Sequence, residues 1–191
     1  MPPRAPARER ILTAAAGRFY ADGIAATGID AVIADAGVAK ASLYNNFANK
    51  SALVEAYIEA RHREWMELHR LRAAQATTPT DRVMAVFDAY LDHAQGAYRN
   101  GFRGCGLLNA AGELAADDPA RAAVTKHKAE VQCILRSALC DLTDPDTAEG
   151  LTEHMAFLLE GSMSLAGLER SPERIVHARA LAVQLMEGLS R

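Results

Sequence analysis

Residues 27–50 read TGIDAVIADAGVAKASLYNNFANK, and this stretch decides the fold of the N-terminal part of the chain. Apolar residues recur at helical spacing on both sides of Gly37, which predicts two short helices joined by a tight turn. Thr27 is expected to cap the first of them, with Asp30 reaching back to it in a capping box. Gly37 suits the turn because glycine accepts a positive φ. With a preceding helix predicted over residues 8–23, the pattern is typical of a helix-turn-helix.

The third helix of this group, predicted over about residues 39–47, has one apolar and one polar side. Leu43 and Phe47 are expected to face inward. The outward positions are Ala39, Lys40, Ala41, Ser42, Tyr44, Asn45 and Asn46. They offer one cation, small residues that allow close approach, a phenol and two amides, but no carboxylate that DNA phosphates would repel. The spacing alone leaves two interpretations open, a DNA-recognition helix or a three-helix packing unit with a solvated polar face.

The whole sequence favours an all-α fold of about nine helices. Alanine, the best helix former, accounts for 39 of the 191 residues. Further helices are predicted over residues 50–74, 81–98, 107–115, 119–141, 145–168 and 172–190. Asp118, Asp144 and Ser171 each precede a proline, an order that marks the beginning of a helix. We therefore expect a helix-turn-helix DNA-binding domain over residues 1–50 and a larger helical effector-binding and dimerisation domain over residues 51–191.

Composition and charge narrow the class of protein. The net charge is −3 and half of the residues are apolar, which excludes a wholly basic nucleic-acid binder but not a local basic surface. The first 50 residues are slightly basic, and Arg4 and Arg8 there suit either a flexible arm over DNA or a solvated tail. No secretory signal, no apolar run of membrane-spanning length and no C-x-x-C spacing among the three cysteines is found. A cytoplasmic, reduced protein with no membrane partner is expected.

Motifs of the common catalytic and cofactor sites are not found. The chain has no G-x-S-x-G, no G-x-x-x-x-G-K and no H-E-x-x-H. Gly101, Gly104 and Gly106 neither follow a predicted strand nor have the dinucleotide-binding order. His62 and His69 lie on one helical face, but no further ligand accompanies them. We therefore expect no enzymatic activity, no cofactor and no metal site.

The quoted stretch resembles the DNA-binding domain of the TetR family of transcriptional regulators. The family pattern Ile-Ala-x-x-Ala-Gly-Val-x-x-x-x-Leu-Tyr-x-x-Phe-x-x-Lys falls on residues 32–50, and the leucine expected after it is Leu53. The departure is Val32-Ile33-Ala34, a slight variant of the usual apolar stripe. The resemblance is close over residues 8–55. Beyond residue 60 it is a resemblance of architecture only.

The resemblance implies roles for the residues on the predicted DNA-binding surface. This set comprises Thr27, Gly28, Ala39, Lys40, Ala41, Ser42, Tyr44, Asn45, Asn46 and Lys50. Thr27 and the amides at the start of the second helix would hold a phosphate, and Tyr44 and Lys50 would bind others. Lys40 and Asn45, with the alanines beside Lys40, would face base edges. Lys40 is the best candidate for direct readout because lysine donates to guanine O6 and N7.

The last two predicted helices carry candidate residues for a homodimer interface. They are Leu151, Met155, Leu158, Ser162, Leu165, Ala178, Leu181 and Leu185. Their spacing fits either a core face within one subunit or a contact between subunits, and the resemblance implies a four-helix bundle between subunits. A single helix-turn-helix domain (residues 1–50, called the head below) contacts too little DNA for strong specificity. We therefore expect two heads on a pseudo-palindromic operator.

The resemblance also implies a pocket for an unknown small-molecule effector among helices four to seven. Its candidate residues are Tyr57, Arg61, Trp65, His69, Phe87, Tyr90, His93, Cys105, Leu108 and Asn109. Aromatic residues such as Trp65, Tyr90 and Phe102 are more often plain core residues than ligand contacts, and a buried inert Cys105 is the more common case than an exposed oxidisable one. The expected function is a ligand-controlled repressor that binds double-stranded DNA as a homodimer. The alternative is a helical ligand-sensing or adaptor protein without operator binding.

Overall fold

The computed structural model describes residues 5–96 and 98–190, and within these ranges it contains nine α-helices and no β-strand. The all-α prediction is confirmed. The helices are α1 (Ala7–Asp22), α2 (Ile29–Ala36), α3 (Lys40–Asn46), α4 (Lys50–Ala73), α5 (Pro79–Ala94), α6 (Gly106–Glu113), α7 (Pro119–Leu139), α8 (Pro145–Glu169) and α9 (Glu173–Glu187), with a final 3-10 turn at Gly188–Ser190. Arg4, a candidate for the arm over DNA, lies outside the described residues.

Side chains near the helix beginnings explain where several helices start. Asp144 accepts hydrogen bonds from two backbone N–H groups, both at 3.1 Å, and α8 begins at the following proline as predicted. α5 begins at Pro79, two residues earlier than predicted, because Thr78 is its N-cap. Thr78 and Asp81 exchange side-chain-to-backbone hydrogen bonds in a full capping box, which satisfies donors that a helix start otherwise leaves open.

The chain divides into two compact units, each assembled from more than one stretch of sequence. The first unit extends to His62 and takes in Tyr98–Asn100 and Gly106–Val124, and the second comprises the remaining residues. Both α4 and α7 therefore contribute residues to each unit. A compact unit is not by itself an independently folding domain, so the domain boundary at residue 50 stays a prediction.

The first unit is organised around α1, which packs against α2, α3 and α6. Ile11, Ala15 and Phe19 recur every four residues along α1 and are buried, as a helix with one core-facing side requires. Leu43 of α3 and Phe47 just after it are also buried, so the predicted inward side of the third helix is confirmed. Burial of each large apolar side chain contributes about 1.5–3 kcal/mol, enough to fix the orientation of so short a helix.

In the second unit, α8 and α9 pack against each other and both pack against α5. Residues 83–87 of α5 are all buried, so this helix is surrounded by protein in its middle. Charged pairs tie it to its neighbours: the Arg179 guanidinium of α9 donates to the Asp88 carboxylate at 2.6 and 3.3 Å, and Arg72 of α4 pairs with Asp92. Among the described helices, none is long and apolar enough to cross a membrane.

Candidate nucleic-acid interface

The turn between α2 and α3 has the left-handed geometry that its glycine predicts. Gly37 has φ 59° and ψ 44°, a conformation that costs a residue with a Cβ about 1–2 kcal/mol. Its N–H donates to Ala34 O at 3.2 Å, and the N–H of Val38 donates to Ile33 O at 3.3 Å. Together these two bonds form a Schellman motif, which ends α2 and redirects the chain into α3.

Arg10 of α1 holds this turn from outside the motif. Its Nη1 donates to Ala36 O at 3.0 Å and to Gly37 O at 3.1 Å. These carbonyls lie at the C-terminal end of α2, where backbone acceptors have no partner within the helix and a cation is favoured. The sequence pattern did not predict this role, since nothing in the spacing links Arg10 to a carbonyl 26 residues away.

The recognition helix α3 presents a polar face to solvent. Ala39, Lys40, Ala41, Tyr44 and Asn45 are exposed, whereas Ser42 and Asn46 are half-buried. The Tyr44 side chain is 49% exposed, so its hydroxyl is free to meet a phosphate rather than packed beneath a neighbouring helix. The amide of Asn46 instead donates to Ser42 O of the same helix at 2.7 Å, which leaves Asn45 as the better placed of the two amides.

Lys40 is paired with a carboxylate that the sequence analysis did not include in this surface. Its Nζ lies 3.0 Å from Asp30 Oδ1 of α2, and this hydrogen bond raises the pKa of Lys40. Both side chains are well exposed, at 63% and 83%. The recognition helix itself carries no carboxylate, but α2 brings one against its cation. Exposed ion pairs are weak in water and are screened by salt, so a DNA phosphate or base can compete for Lys40.

The predicted capping box at the start of α2 is not formed. α2 begins at Ile29 with Gly28 as its N-cap, and no side chain caps it. Thr27 is only 3% exposed, and its hydroxyl donates inward to Gly23 O at 2.6 Å. The proton of this hydroxyl is therefore already donated within the protein. Any phosphate at this end of α2 would meet the backbone N–H groups that begin the helix, Gly28 itself being exposed.

Two further predicted cations lie on helices. Lys50 is the first residue of α4 and is half-buried, and Asn49 Oδ1 before it accepts the N–H of Ala52 at 2.9 Å. Arg8 is part of α1, and its guanidinium lies over the ring of Phe47, 5.2 Å from the ring centre. Arg8 therefore belongs neither to a flexible arm nor to a solvated tail, because the helix and this cation–π contact fix it.

The candidate effector residues fall in both compact units. In the first unit, Tyr57 is buried with the Arg61 guanidinium 5.9 Å from its ring centre, while Leu108 and Asn109 are exposed on α6. An effector role for these four residues stays a prediction.

In the second unit, the candidates Trp65, Phe87 and Tyr90 are buried. His69 stacks on Trp65 with 5.5 Å between ring centres, and burial lowers the pKa of its imidazole. His69 also lines a groove of about 350 Å³. His93 meets Phe102 edge-on, at 6.2 Å.

A half-buried polar cluster surrounds the buried Tyr90 in the second unit. Lys128 Nζ lies 2.6 Å from Glu160 Oε1, 3.2 Å from Tyr90 OH and 3.6 Å from Cys105 Sγ. Burial raises the pKa of Tyr90; it also disfavours the charge on Lys128, but Cys105, Tyr90 and Glu160 outweigh it and raise the pKa of that lysine. Two atoms here are buried with no hydrogen-bond partner, Glu160 Oε2 and Trp65 Nε1.

Lys128 and Glu160 were not among the candidates from sequence. They are 32 residues apart on different helices, so no local spacing signals their contact. Cys105 is half-buried, between the two alternatives considered for it. Within residues 5–96 and 98–190, no group of three or more His, Cys, Asp or Glu side chains is placed to hold a metal ion.

The residues predicted for the dimer interface differ in exposure. Four are buried in the subunit's own core: Leu151, Met155, Ser162 and Ala178. Four are half-buried or exposed: Leu158, Leu165, Leu181 and Leu185. The exposed apolar surface of α8 also includes Phe157, 66% exposed, and Leu168, 82% exposed, which the helical spacing did not predict as interface residues. A groove of about 550 Å³ lies between α8 and α9, lined by His154, Phe157, Leu158, Leu181, Gln184 and Leu185.

Comparison with known proteins relates both the head and the whole chain to one family. Residues 11–57 match the family described as bacterial regulatory proteins, tetR family. A TetR-family transcriptional regulator from Streptomyces coelicolor is 29% identical, with a TM-score of 0.88 over 97% of this chain and 96% of that one. The regulatory protein TetR from Rhodobacter sphaeroides, 22% identical, shares the fold with a TM-score of 0.80 over 95% and 99% of the two chains. No curated protein matches the chain significantly.

The glycine turn, the exposed recognition helix and these matches define the class of protein, a helix-turn-helix transcriptional regulator. The resemblance to the TetR family is confirmed: the chain carries the family's N-terminal domain and has the fold of its transcriptional regulators over almost its whole length.

Proposed function

We propose that the chain is a ligand-controlled repressor that binds a pseudo-palindromic operator as a homodimer. One observation carries the DNA-binding part: α3 exposes Lys40, Tyr44 and Asn45, while Leu43 of the same helix is fully buried. A helix has to protrude in this way to enter a major groove about 12 Å wide. In a homodimer, two such helices would contact half-sites roughly 34–36 Å apart.

The exposed residues divide into those that position the head and those that read sequence. Tyr44, Lys50 and the N–H groups at the start of α2 would bind phosphates, which fixes the register without reading bases. Lys40 would donate to guanine O6 and N7, and Asn45 is the residue suited to adenine. Lys40 must leave Asp30 to do so.

A random-oligonucleotide selection at low salt, followed by affinity measurements on the selected duplexes, tests this proposal. Tyr44→Phe should weaken binding to all selected duplexes by a similar factor, because a phosphate contact carries no sequence information. Lys40→Ala should relax the preference at one base position per half-site, by about 1–3 kcal/mol of discrimination. Lys126→Ala, which removes an exposed cation from α7, is the matched control. An unchanged base preference in Lys40→Ala would contradict its assigned role.

A helical ligand-sensing or adaptor protein without operator binding is the second candidate. The Asp30–Lys40 pair favours it, because it neutralises the only cation on the recognition helix. Against it stands the exposed combination of Lys40, Tyr44 and Asn45, for which an adaptor has no use. Failure of the wild-type protein to bind any duplex at low salt would select this alternative.

The homodimer is supported by the exposed apolar surface of α8 and α9. Phe157 and Leu168 are the most exposed large apolar side chains described, and a monomer gains nothing by presenting them to water. Phe157→Glu should give a monomer in sedimentation experiments. Leu71→Glu, which places the same charge at an exposed leucine of α4, should leave the mass unchanged. A Phe157→Glu protein of dimeric mass would contradict the interface.

Ligand control is supported by the two unpartnered atoms of the second unit. Trp65 Nε1 lacks an acceptor and Glu160 Oε2 lacks a donor, and each costs about 1–3 kcal/mol while it stays buried and unpaired. All three protons of the Lys128 ammonium already have acceptors at Glu160, Tyr90 and Cys105. We infer an effector that supplies an acceptor to Trp65 Nε1 and a donor to Glu160 Oε2.

Trp65 provides the readout for this idea, because it is the only tryptophan of the chain. A panel of aromatic alcohols and amides should shift its fluorescence and release the protein from its operator, whereas the corresponding hydrocarbons should do neither. An effector that prefers the DNA-incompetent state a hundredfold supplies about 2.7 kcal/mol of coupling. A compound that releases the operator without changing Trp65 fluorescence, and that releases the Glu160→Gln variant as readily as the wild type, would place the effector elsewhere.

A further inference from the structure

The compact unit that contains the helix-turn-helix also contains a segment from much later in the chain, and this segment contacts the turn before α2. Glu113, the last residue of α6, accepts the backbone N–H of Ile24 at 3.0 Å on one carboxylate oxygen and that of Ala25 at 2.7 Å on the other. Hydrogen bonds donated to a charged acceptor are about twice as strong as those between neutral groups. The carboxylate therefore fixes the backbone that enters α2.

The backbone at this turn is shaped to receive the carboxylate. Gly23 has φ 92° and ψ 158°, a region that only glycine occupies readily. A Cβ at Gly23 would lie 3.0 Å from Glu113 Oε1, so a larger residue would crowd the acceptor. The turn and the carboxylate thus fit each other over nearly 90 residues of sequence separation.

A second remote residue holds the other end of α2. Asp35 accepts two hydrogen bonds from Arg18 of α1, at 2.7 and 2.9 Å, and one from Arg99 at 3.0 Å. These bonds lower the pKa of Asp35, with Arg18 the larger cause. From one late stretch of the chain, Arg99 therefore reaches the last turn of α2 and Glu113 reaches the turn that precedes α2.

The residues between these two segments belong to the other compact unit. Gly101–Cys105 joins Tyr98–Asn100 to Gly106–Val124 and is part of the second unit. There it runs against α8 at backbone distance: a Cβ at Gly167 would lie 2.5 Å from Gly104 N. A displacement of α8 cannot be absorbed at this contact without moving the linking residues.

We propose that Glu113 is a positioning residue for DNA binding, which holds the α1–α2 turn in the orientation that α2 and α3 need on the operator, and that the Gly101–Cys105 link places this hold under the control of α8. The inference rests on the proposed operator binding. The contact of Glu113 with the turn can be measured without DNA. A failure of this inference can therefore be told apart from a failure of operator binding.

Whether DNA affinity rises or falls on mutation of Glu113 distinguishes a positioning role from a purely electrostatic one. Glu113→Ala removes a negative charge, which by itself would strengthen binding to phosphates. We expect operator affinity instead to fall about tenfold, because two N–H groups lose their charged acceptor. Glu113→Asp keeps the charge but is one methylene shorter, and it should lose a similar factor. Glu149→Ala, which removes an exposed carboxylate of α8 paired with Arg136, is the control and should not lose affinity.

Amide hydrogen exchange on the protein without DNA tests the contact itself. Exchange at Ile24 and Ala25 should be at least about tenfold faster in Glu113→Ala than in the wild type, with Glu149→Ala unchanged. Equal exchange in Glu113→Ala and wild type, or a gain in operator affinity in Glu113→Ala, would overturn the positioning role. If the wild type binds no duplex while Ile24 still responds, the operator proposal fails and the contact stands.

Control by α8 has its own test. Gly167→Ala should accelerate exchange at Ile24 and weaken operator binding several-fold, because the added Cβ displaces Gly104 and the link that follows it. Gly150→Ala, on the same helix with open space around its Cβ, should change neither. A Gly167→Ala protein that is less stable but has wild-type exchange at Ile24 would refute the link.

Discussion

The pattern Thr-x-x-Asp lies at the start of both α2 and α5, and its outcome differs between the two. Before α5, the N–H of Asp81 donates to Thr78 Oγ1 at 3.1 Å and the Asp81 carboxylate accepts the N–H of Thr78 at 2.9 Å. Before α2, the Thr27 hydroxyl donates to Gly23 O and Asp30 pairs with Lys40. The same letters give a capping box in one place and none in the other.

The residues that follow each threonine and the surroundings explain the difference. Pro79 has a fixed φ suited to the first helical position, so Thr78 becomes the N-cap without outside help. Thr27 is buried and is followed by a glycine. The turn before it is held by Glu113. A local box closes the start of α5, whereas tertiary contacts hold the start of α2 and leave its first N–H groups without a side-chain cap.

The largest loss of stability is expected at Gly23, the glycine of the turn between α1 and α2. Gly23→Ala should lower the free energy of unfolding by about 3 kcal/mol, because the left-handed backbone becomes strained and Glu113 is crowded. Denaturant unfolding measures the loss. Gly28→Ala, with an ordinary φ and open space at its Cβ, should cost far less. Equal losses in the two variants would mean that the turn is not held as described.

The buried hydroxyl of Thr27 should come next. Thr27→Val keeps the shape but leaves Gly23 O without its donor, and we expect a loss of about 2 kcal/mol, or roughly 4–8 °C in Tm. Thr27→Ser retains the hydroxyl and should lose clearly less. If serine and valine are equally destabilising, packing rather than the hydrogen bond explains the burial of Thr27.

Thr78 should respond as an ordinary N-cap. Thr78→Ala should cost about 1 kcal/mol in thermal unfolding, since one backbone donor of α5 loses its partner. Thr80→Ala, inside the first turn, is the control and should lie close to the wild type. A Thr78→Ala protein as stable as this control would remove the contrast between the two helix starts.

The smallest effect is a pH dependence confined to the α5 box. Hydrogen bonds from Thr77 and Thr78 lower the pKa of Asp81 to about 2. A depressed folded pKa gives stability that is present above the unfolded value of about 3.9 and is lost as the pH falls toward 2. Asp81→Asn should therefore flatten the stability profile between about pH 4 and pH 2. Asp30→Asn, which leaves the box intact, should retain the wild-type slope there.

Much of the head was predictable because its signals are local. The glycine turn, the buried Leu43 and the exposed Lys40 and Tyr44 follow from helical spacing and from the conformational freedom of glycine alone. The contacts at the ends of α2 were harder to predict from sequence. Thr27 was expected to cap it, but its buried hydroxyl donates to Gly23 O, in a turn whose backbone is held by Glu113 from 89 residues away.

The second unit shows the same limit. The apolar spacing on α8 and α9 predicted that each helix has a core side and a surface side. It could not distinguish the buried leucines from the exposed ones. Leu151 is buried and Leu165 of the same helix is exposed, because the difference depends on which side of α8 the other helices cover. The Lys128–Glu160 pair likewise joins two helices whose contact no local pattern encodes.

By itself, the sequence determined the all-helical fold, the glycine turn and the polar face of the recognition helix, since each depends on contacts within a few residues. Only the tertiary structure decided which side chains hold α2: Arg10, Arg99 and Glu113 lie 26 to 89 residues from the atoms they bind. Partners so far apart meet only after the helices have packed, and packing is a property of the whole chain.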